Sequence, residues 1–364
     1  MCNNSFAHLH NHSKFSLLDG IITPELLLPR LAKLGMTSFA LTDHGCMGGI
    51  PEFAKACGDA GVKLIAGCEM YEVDDIRLKT AEEAQDQESM ECESVTKSKE
   101  REEGVDVYHK RNPRYWHITL LARNPVGYQK LTRLTAAAAT ADAYYYKPRI
   151  DASMLATIAA GDDIIVGLGC ALSRLSQYCL QYDDYQGWSD RADRYLKLFG
   201  ENNVFCEIMA NSYEGQGIIN EKTLVWANQK GLPIVPTNDC HYVERDHARL
   251  QDILLCIATN QRADAEDRKF KFEGDSYYIR SKDEMQDAFL HSYGIEIAPY
   301  LSNSIHFAER CEHAGYIDQK EFRLPRFQIP QGREWEEFKA WIRAKEDRKR
   351  ERYGDELINK VLNS

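Results

Sequence analysis

The chain has 364 residues, of which 43% are hydrophobic and 28% charged, the balance of a globular protein that can bury a core of its own. No apolar run is long enough to cross a bilayer, and MCNNSFAHLH at the N-terminus lacks the basic and apolar regions of a secretory leader. The formal net charge of -11 argues against gripping nucleic acid by broad electrostatics, though not against bound cations that hold a phosphate.

In chain order, HLHNHSKFSLLDG (8–20) comes first. Side chains on a strand alternate with period two, so His8, His10 and His12 are expected on one face, with Asp19 following. TPELLLPRLAKLG (23–35) reads as a helix, and SFALTDH (38–44) as a strand that ends on His44. PEFAKACGDAG (51–61) is again helical, and VKLIAGCEMY (62–71) is a strand carrying Glu69. WHITLLA (116–122) opens with His117, and GYQKLTRLTAAAATA (127–141) is helical. DIIVGLGC (163–170) closes on Cys170, and VFCEIM (204–209) is a further strand. NEKTLVWANQKG (220–231) is a helix, and LPIVPTND (232–239) leads to Asp239 and His241. Unbroken apolar runs of this length predict buried parallel strands, and their alternation with helices predicts a barrel or a doubly wound sheet of about seven β/α units.

The segment 72–114 breaks this rhythm with dense charge and few apolar residues. It reads as a solvated insertion. Its Lys97, Lys99, Arg101, Lys110, Arg111 and Arg114 invite comparison with a DNA-contacting arm, but acidic residues interleave with most of them. Beyond residue 245 the pattern becomes helical, giving an expected division into a barrel at 1–245 and a helical extension at 246–364. In the last helix, Trp335, Phe338 and Trp341 form an apolar stripe suited to packing. The eleven cysteines form no CxxC pair, so neither a disulfide framework nor a zinc ribbon is expected, and a reducing cytoplasm fits.

Ligand-type residues recur where these strands end, as a metal site at a barrel mouth requires. Each has a plain structural alternative. His117 suits a core histidine, Cys170 a small buried hydrophobe, Asp19 a turn before Gly20, and Asp239 a helix cap. Singly these alternatives are reasonable; their joint occurrence at strand ends would be a coincidence.

HLHNHSKFSLLDG, LTDHG, GCEMY, HITLLARNPVGYQKL, KPRID and TNDCHY together resemble the PHP (polymerase and histidinol phosphatase) domain of bacterial replicative DNA polymerase III alpha subunits, and LPRFQIPQG and RERYG extend the resemblance. It implies a distorted (β/α)7 TIM-like barrel followed by a mostly helical segment. It also implies up to three divalent metal ions (zinc, manganese or iron) on His10, His12, Asp19, His44, Glu69, His117, Cys170, Asp239 and His241. His8 falls outside that ligand pattern. Asp43 and Glu207 suit hydrogen bonding to ligand histidines, or plain structural roles.

The activity so implied is metal-dependent phosphoester hydrolysis at a DNA 3′ end, a 3′–5′ exonuclease able to proofread, with His10, His12, Asp239 and His241 assigned to catalysis. Either Asp239 or His241 would relay a proton to the leaving group. A small-molecule phosphatase of the histidinol-phosphate type and a non-catalytic scaffold are the alternatives. The expected partners are DNA and a polymerase core or other replisome subunits, with no membrane. The glycine-rich loop and Asp-x-Asp pair of the family's palm do not occur, so this chain alone is expected not to extend a primer. It reads as a fragment, a split-gene product or a free-standing protein.

Overall fold

The computed structural model describes residues 6–77, 115–265, 268 and 270–317, together with helical positions 336, 337, 340, 341, 344 and 345. The chain divides into two units, residues 1–318 and 319–364. In the second, the Lys345 ammonium lies 4.4 Å from the centroid of the Trp341 ring. Trp335, Phe338 and the basic residues from Lys97 to Arg114 lie outside the described residues.

The first unit is built on seven strands: β1 (Ser38–Leu41), β2 (Lys63–Glu72), β3 (Trp116–Ala122), β4 (Arg149–Ile150), β5 (Ile164–Leu168), β6 (Val204–Met209) and β7 (Ile234–Thr237). They form one sheet in the order β1-β2-β3-β5-β6-β7, with the short β4 pairing to the end of β2. Apart from Lys63 and Trp116, which open their strands, every strand residue is buried. Burial on both faces is why the sequence shows continuous apolar runs rather than alternation.

The two faces do different work. Ala40, Ile65, Leu121, Ile165, Phe205 and Val235 contribute one residue per long strand to an inner apolar layer, joined by Ala7 and Leu9. Phe307, Ala308 and Cys311, from and just after helix Ala298–Glu309, plug the same layer. The intervening strand residues face the larger outer core beneath the helices. The plug is fastened by polar contacts as well. Ser304 Oγ accepts from the Ala7 amide at 3.1 Å, and Lys63 Nζ donates to the carbonyls of Ala308 and Cys311.

Two expectations require correction. β3 is not parallel: it runs antiparallel to both neighbours, β2 and β5. A strand buried on both faces carries no directional signal in its composition, so the apolar run could not reveal the reversal. The opening segment is not a regular strand either. It closes the sheet by isolated bridges, His8 to Phe39 on one side and Asn11 to Cys240 on the other. Backbone bonds from Ala40 N to His8 O, Thr42 N to Asn11 O and His12 N to Cys240 O complete the seam. Within it the Asn11 carboxamide donates to the carbonyls of His8 and Ala40, taking the place of ladder bonds.

Alternation therefore slips between Leu9, which joins the inner layer, and His10. His8 consequently does not share a face with His10 and His12. Its Nε2 lies 2.8 Å from the Arg280 carbonyl and its ring packs edge-on against Phe6. Burial holds the His8 imidazole down at about 4, so it is neutral at physiological pH.

Candidate metal centre

Above the apolar layer, the inward positions of the strands turn polar in two steps of two residues. Ile65 leads through Gly67 to Glu69, Ala40 through Thr42 to His44, Val235 through Thr237 to Asp239, and Phe205 directly to Glu207. On β3 the same climb runs backwards in sequence, from Leu121 through Thr119 to His117. A histidine opening a strand, where all other donors close theirs, was the one sequence sign that this strand is reversed. The interior is tight at this level: a Cβ on Gly167 would fall 2.6 Å from Glu207 Oε1.

The nine residues expected as ligands converge in overlapping groups. His12, His44 and His241 form one; His10, Cys170 and Asp239 a second; His10, His12 and Glu69 a third; His44, Glu69 and His117 a fourth. Within each group the donor atoms lie within 4.8 Å of one another. Asp19 completes the set, its Oδ2 3.1 Å from His44 Nε2 and 3.3 Å from His241 Nε2. Glu69 sits at the centre. Its Oε1 lies 3.2 Å from both His10 Nε2 and His117 Nδ1, and its Oε2 lies 2.8 Å from His44 Nδ1 and 3.4 Å from His12 Nε2. Asp239 Oδ1 is 3.0 Å from His12 Nε2 and 3.5 Å from His10 Nε2. Cys170 Sγ is 3.5 Å from His117 Nδ1.

Groups behind the ligands fix which imidazole nitrogen faces the centre. His10 Nδ1 donates to Glu207 Oε2 at 2.9 Å, and Glu207 also accepts from Thr237 Oγ1. Asp43 accepts from the Ser13 amide and from the hydroxyls of Ser13 and Ser16. With its proton committed to Asp43, the Ser16 oxygen accepts from His12 Nδ1 and from the His44 amide. His241 Nδ1 donates to the Asp239 carbonyl at 2.8 Å. A carbonyl can only accept, so three independent contacts leave the Nε2 lone pairs of His10, His12 and His241 directed inward. The sequence placed Glu207 and Asp43 near this mouth but left their roles open. The hydrogen bonds now define them.

The electrostatics follow from this crowding. Burial would raise Glu69 and Asp19, yet the surrounding imidazoles hold both carboxyls well below their usual range. Burial together with the charges of His44 and His241 drives His12 down to about 3, leaving its Nε2 bare, whereas Glu69 and Asp19 overcome burial to push His44 up to about 10. Burial and the neighbouring carboxylates Glu69 and Asp239 push the Cys170 thiol well above its usual range.

Buried polar atoms thus crowd around one centre. His10 Nε2, His12 Nε2, His44 Nδ1, both Glu69 oxygens, Asp239 Oδ1 and His241 Nε2 are all inaccessible and without a hydrogen-bond partner. Orphaning buried polar atoms costs about 1–3 kcal/mol each, and more where lone pairs oppose. Divalent cations would satisfy them together, and a set of imidazoles, carboxylates and one thiol fits zinc, manganese or iron. The least buried ligands, Asp239 at 15%, His44 at 16% and Asp19 at 20% of side-chain exposure, mark the open edge.

Residues 8–211 match the family described as PHP domain. The chain is 32% identical over 330 residues to DNA polymerase III subunit alpha of Treponema pallidum (strain Nichols), covering 91% of this chain and 25% of that protein. It is 33% identical over 331 residues to the Thermus aquaticus subunit of the same name, covering 90% and 24%. It therefore spans about a quarter of the length of these curated relatives. A putative metal-dependent phosphoesterase from Bifidobacterium adolescentis aligns over 78% of this chain and 95% of its own, at 14% identity and a TM-score of 0.38. No helix among the described residues is long and apolar enough to cross a membrane.

Proposed function

The chain belongs to the PHP domain family, and from that premise we propose that its donor cluster is a multinuclear metal centre hydrolysing phosphodiesters, with the 3′ end of DNA as substrate and 3′–5′ exonucleolytic proofreading as its role. The homology to DNA polymerase III subunit alpha over nine-tenths of the chain supports that substrate and a place beside a polymerase core in replication, in the cytoplasm. The observation that carries the chemistry is the ring of buried, unpartnered nitrogen and carboxylate atoms around Glu69.

His10, His12, Asp19, His44, Glu69, His117, Cys170, Asp239 and His241 would hold the ions. When bound, divalent ions supply Lewis-acid charge to a phosphate and activate water near neutral pH. The chain's own residues do the rest. Glu69, whose two oxygens are each directed to a histidine pair, would hold ions jointly with His10, His117, His44 and His12. Glu207, Ser16 and the Asp239 carbonyl hold the imidazoles so that no rotation is needed when a substrate arrives. Full burial of His10 and Glu69 keeps bulk water from the floor of the site, while Asp19, His44 and Asp239 leave an edge through which a phosphodiester enters. Either His241 or Asp239 would relay a proton to the leaving oxygen, Asp239 being the more exposed.

Elemental analysis of the purified chain, run beside assays on single-stranded DNA and on a generic phosphate monoester with zinc, manganese or magnesium, tests this reading. The expected result is bound metal with release of nucleotides from the 3′ end, lost in His10→Ala while the fold persists. Cleavage of the monoester alone would replace it with small-molecule phosphatase action. A metal-loaded but inert protein would leave a structural scaffold.

A further inference from the structure

We propose that the turn Tyr144–Pro148 is a clamp for single-stranded DNA at the rim of the centre, with Lys147 taking a backbone phosphate and the ring of Tyr146 stacking on a base. The inference rests on the phosphodiesterase reading for its substrate class.

Three observations converge on this turn. The first is its attachment to the site. Lys147 Nζ lies 5.2 Å from the centroid of the Tyr71 ring, and that ring stacks on His44 at 5.8 Å and meets His117 edge-on at 5.3 Å. Pro148 sits on the glycine that follows His44, so closely that a Cβ on Gly45 would fall 2.5 Å from Pro148 Cγ. The turn is therefore seated against Tyr71 and Gly45, the neighbours of two ligands.

The second is unmatched charge. Among the described residues no carboxylate pairs with Lys147, whose ammonium lies over the Tyr71 ring. Other cations close in sequence to the ligands are already neutralised: Lys14 by Glu52, Arg174 by Asp74 and Arg245 by Asp275. In a chain of net charge -11, a half-buried ammonium held over the Tyr71 ring without a counter-ion has an electrostatic deficit that a phosphate would fill. A phosphate held there would be a neighbour of the one at the ions, because Lys147 and His44 both contact the Tyr71 ring.

The third is conformational. Tyr146 occupies the tip, between Tyr145 and Lys147, which pair with each other across it. It has φ of 58° and is 71% exposed. A bulky aromatic residue rarely adopts the left-handed region, and such conformations persist where surrounding structure enforces them, often at binding sites. The Tyr146 ring meets Tyr145 edge-on at 4.6 Å and is otherwise open to solvent. Every base has a π-face, so an exposed aromatic beside a phosphate-binding cation is the pairing that holds single strands without reading sequence.

Binding of a fluorescein-labelled, hydrolysis-resistant phosphorothioate oligothymidylate to the full metal-loaded chain tests the clamp by fluorescence anisotropy across a salt series. Lys147→Ala is expected to weaken binding roughly tenfold and to lower the salt slope by about one ion. Tyr146→Ala is expected to weaken it roughly tenfold with the slope kept, and Tyr146→Phe to bind as the wild type does. Metal content and melting temperature should stay at wild-type values in all three. On cleavable DNA, KM should rise by a larger factor than kcat falls. The clamp is overturned if the wild type fails to bind the strand, if both alanine variants bind as tightly as it does, or if Tyr146→Phe weakens binding as much as Tyr146→Ala. Weakened binding in the variants, alongside a metal-loaded wild type that leaves DNA intact, would retain the clamp and reject hydrolysis.

Discussion

Glu207 Oε2 lies 2.9 Å from His10 Nδ1, and both side chains are fully buried. The carboxylate has no access to the centre through that nitrogen; it orients the ring whose other nitrogen does. Glu207→Leu should therefore leave the nine donors in place and weaken metal binding about 10–100-fold, the usual cost of deleting such a supporting contact. Titrating the chelated protein with zinc or manganese against a competing dye measures it. An unchanged affinity would show that His10 needs no help.

Removing metal should cost stability. Ions that bind only the folded chain stabilise it by about 4 kcal/mol at a thousandfold excess over Kd. Chelation is thus expected to lower the melting temperature by on the order of 10 °C, restored on adding back the ion. Glu69→Gln, which removes the charge shared by two histidine pairs, should shrink that difference. Equal melting curves with and without chelator would contradict a filled centre.

Gly45 follows His44 with φ of 57°. A Cβ there would meet Pro148 at 2.5 Å and Tyr71 at 3.2 Å, atoms that belong to a proline ring and a buried aromatic and cannot swing clear. Gly45→Ala should destabilise the fold by about 1–3 kcal/mol and lower metal occupancy through His44, readable by denaturant melts and elemental analysis. Wild-type stability in this variant would mean the turn is free to move away.

Much of the site was legible because barrel chemistry is periodic. Donors at the ends of buried runs, as at His44, Glu69 and Asp239, point inward if the apolar residues four places before them, Ala40, Ile65 and Val235, do. What the sequence could not carry was direction and slip. The reversal of β3 left only the odd position of His117 as a trace. The slip between Leu9 and His10 depends on a carboxamide, Asn11, bonding to two carbonyls of the seam. No spacing rule anticipates a side chain that substitutes for the backbone. Glu207 was visible as an acid on a strand, but its partner became clear only when the opening segment was seen to close the sheet between β1 and Cys240, just after β7.

That slip makes His8 and His10, two residues apart in one motif, separable by experiment. His8 is 1% exposed, donates to the Arg280 carbonyl and packs on Phe6, so it ties the seam to the segment that follows β7. His8→Ala removes a buried ring and strands a carbonyl, for an expected loss of about 2–4 kcal/mol, with metal stoichiometry unchanged. His10→Ala should forfeit metal, and because it also strips the buried Glu207 carboxylate of a hydrogen-bond partner, its loss of stability should persist in chelator. Thermal melts and elemental analysis on both variants decide it. If His8→Ala also empties the centre, the seam and the metal site are one cooperative unit, and the slip does not separate their roles.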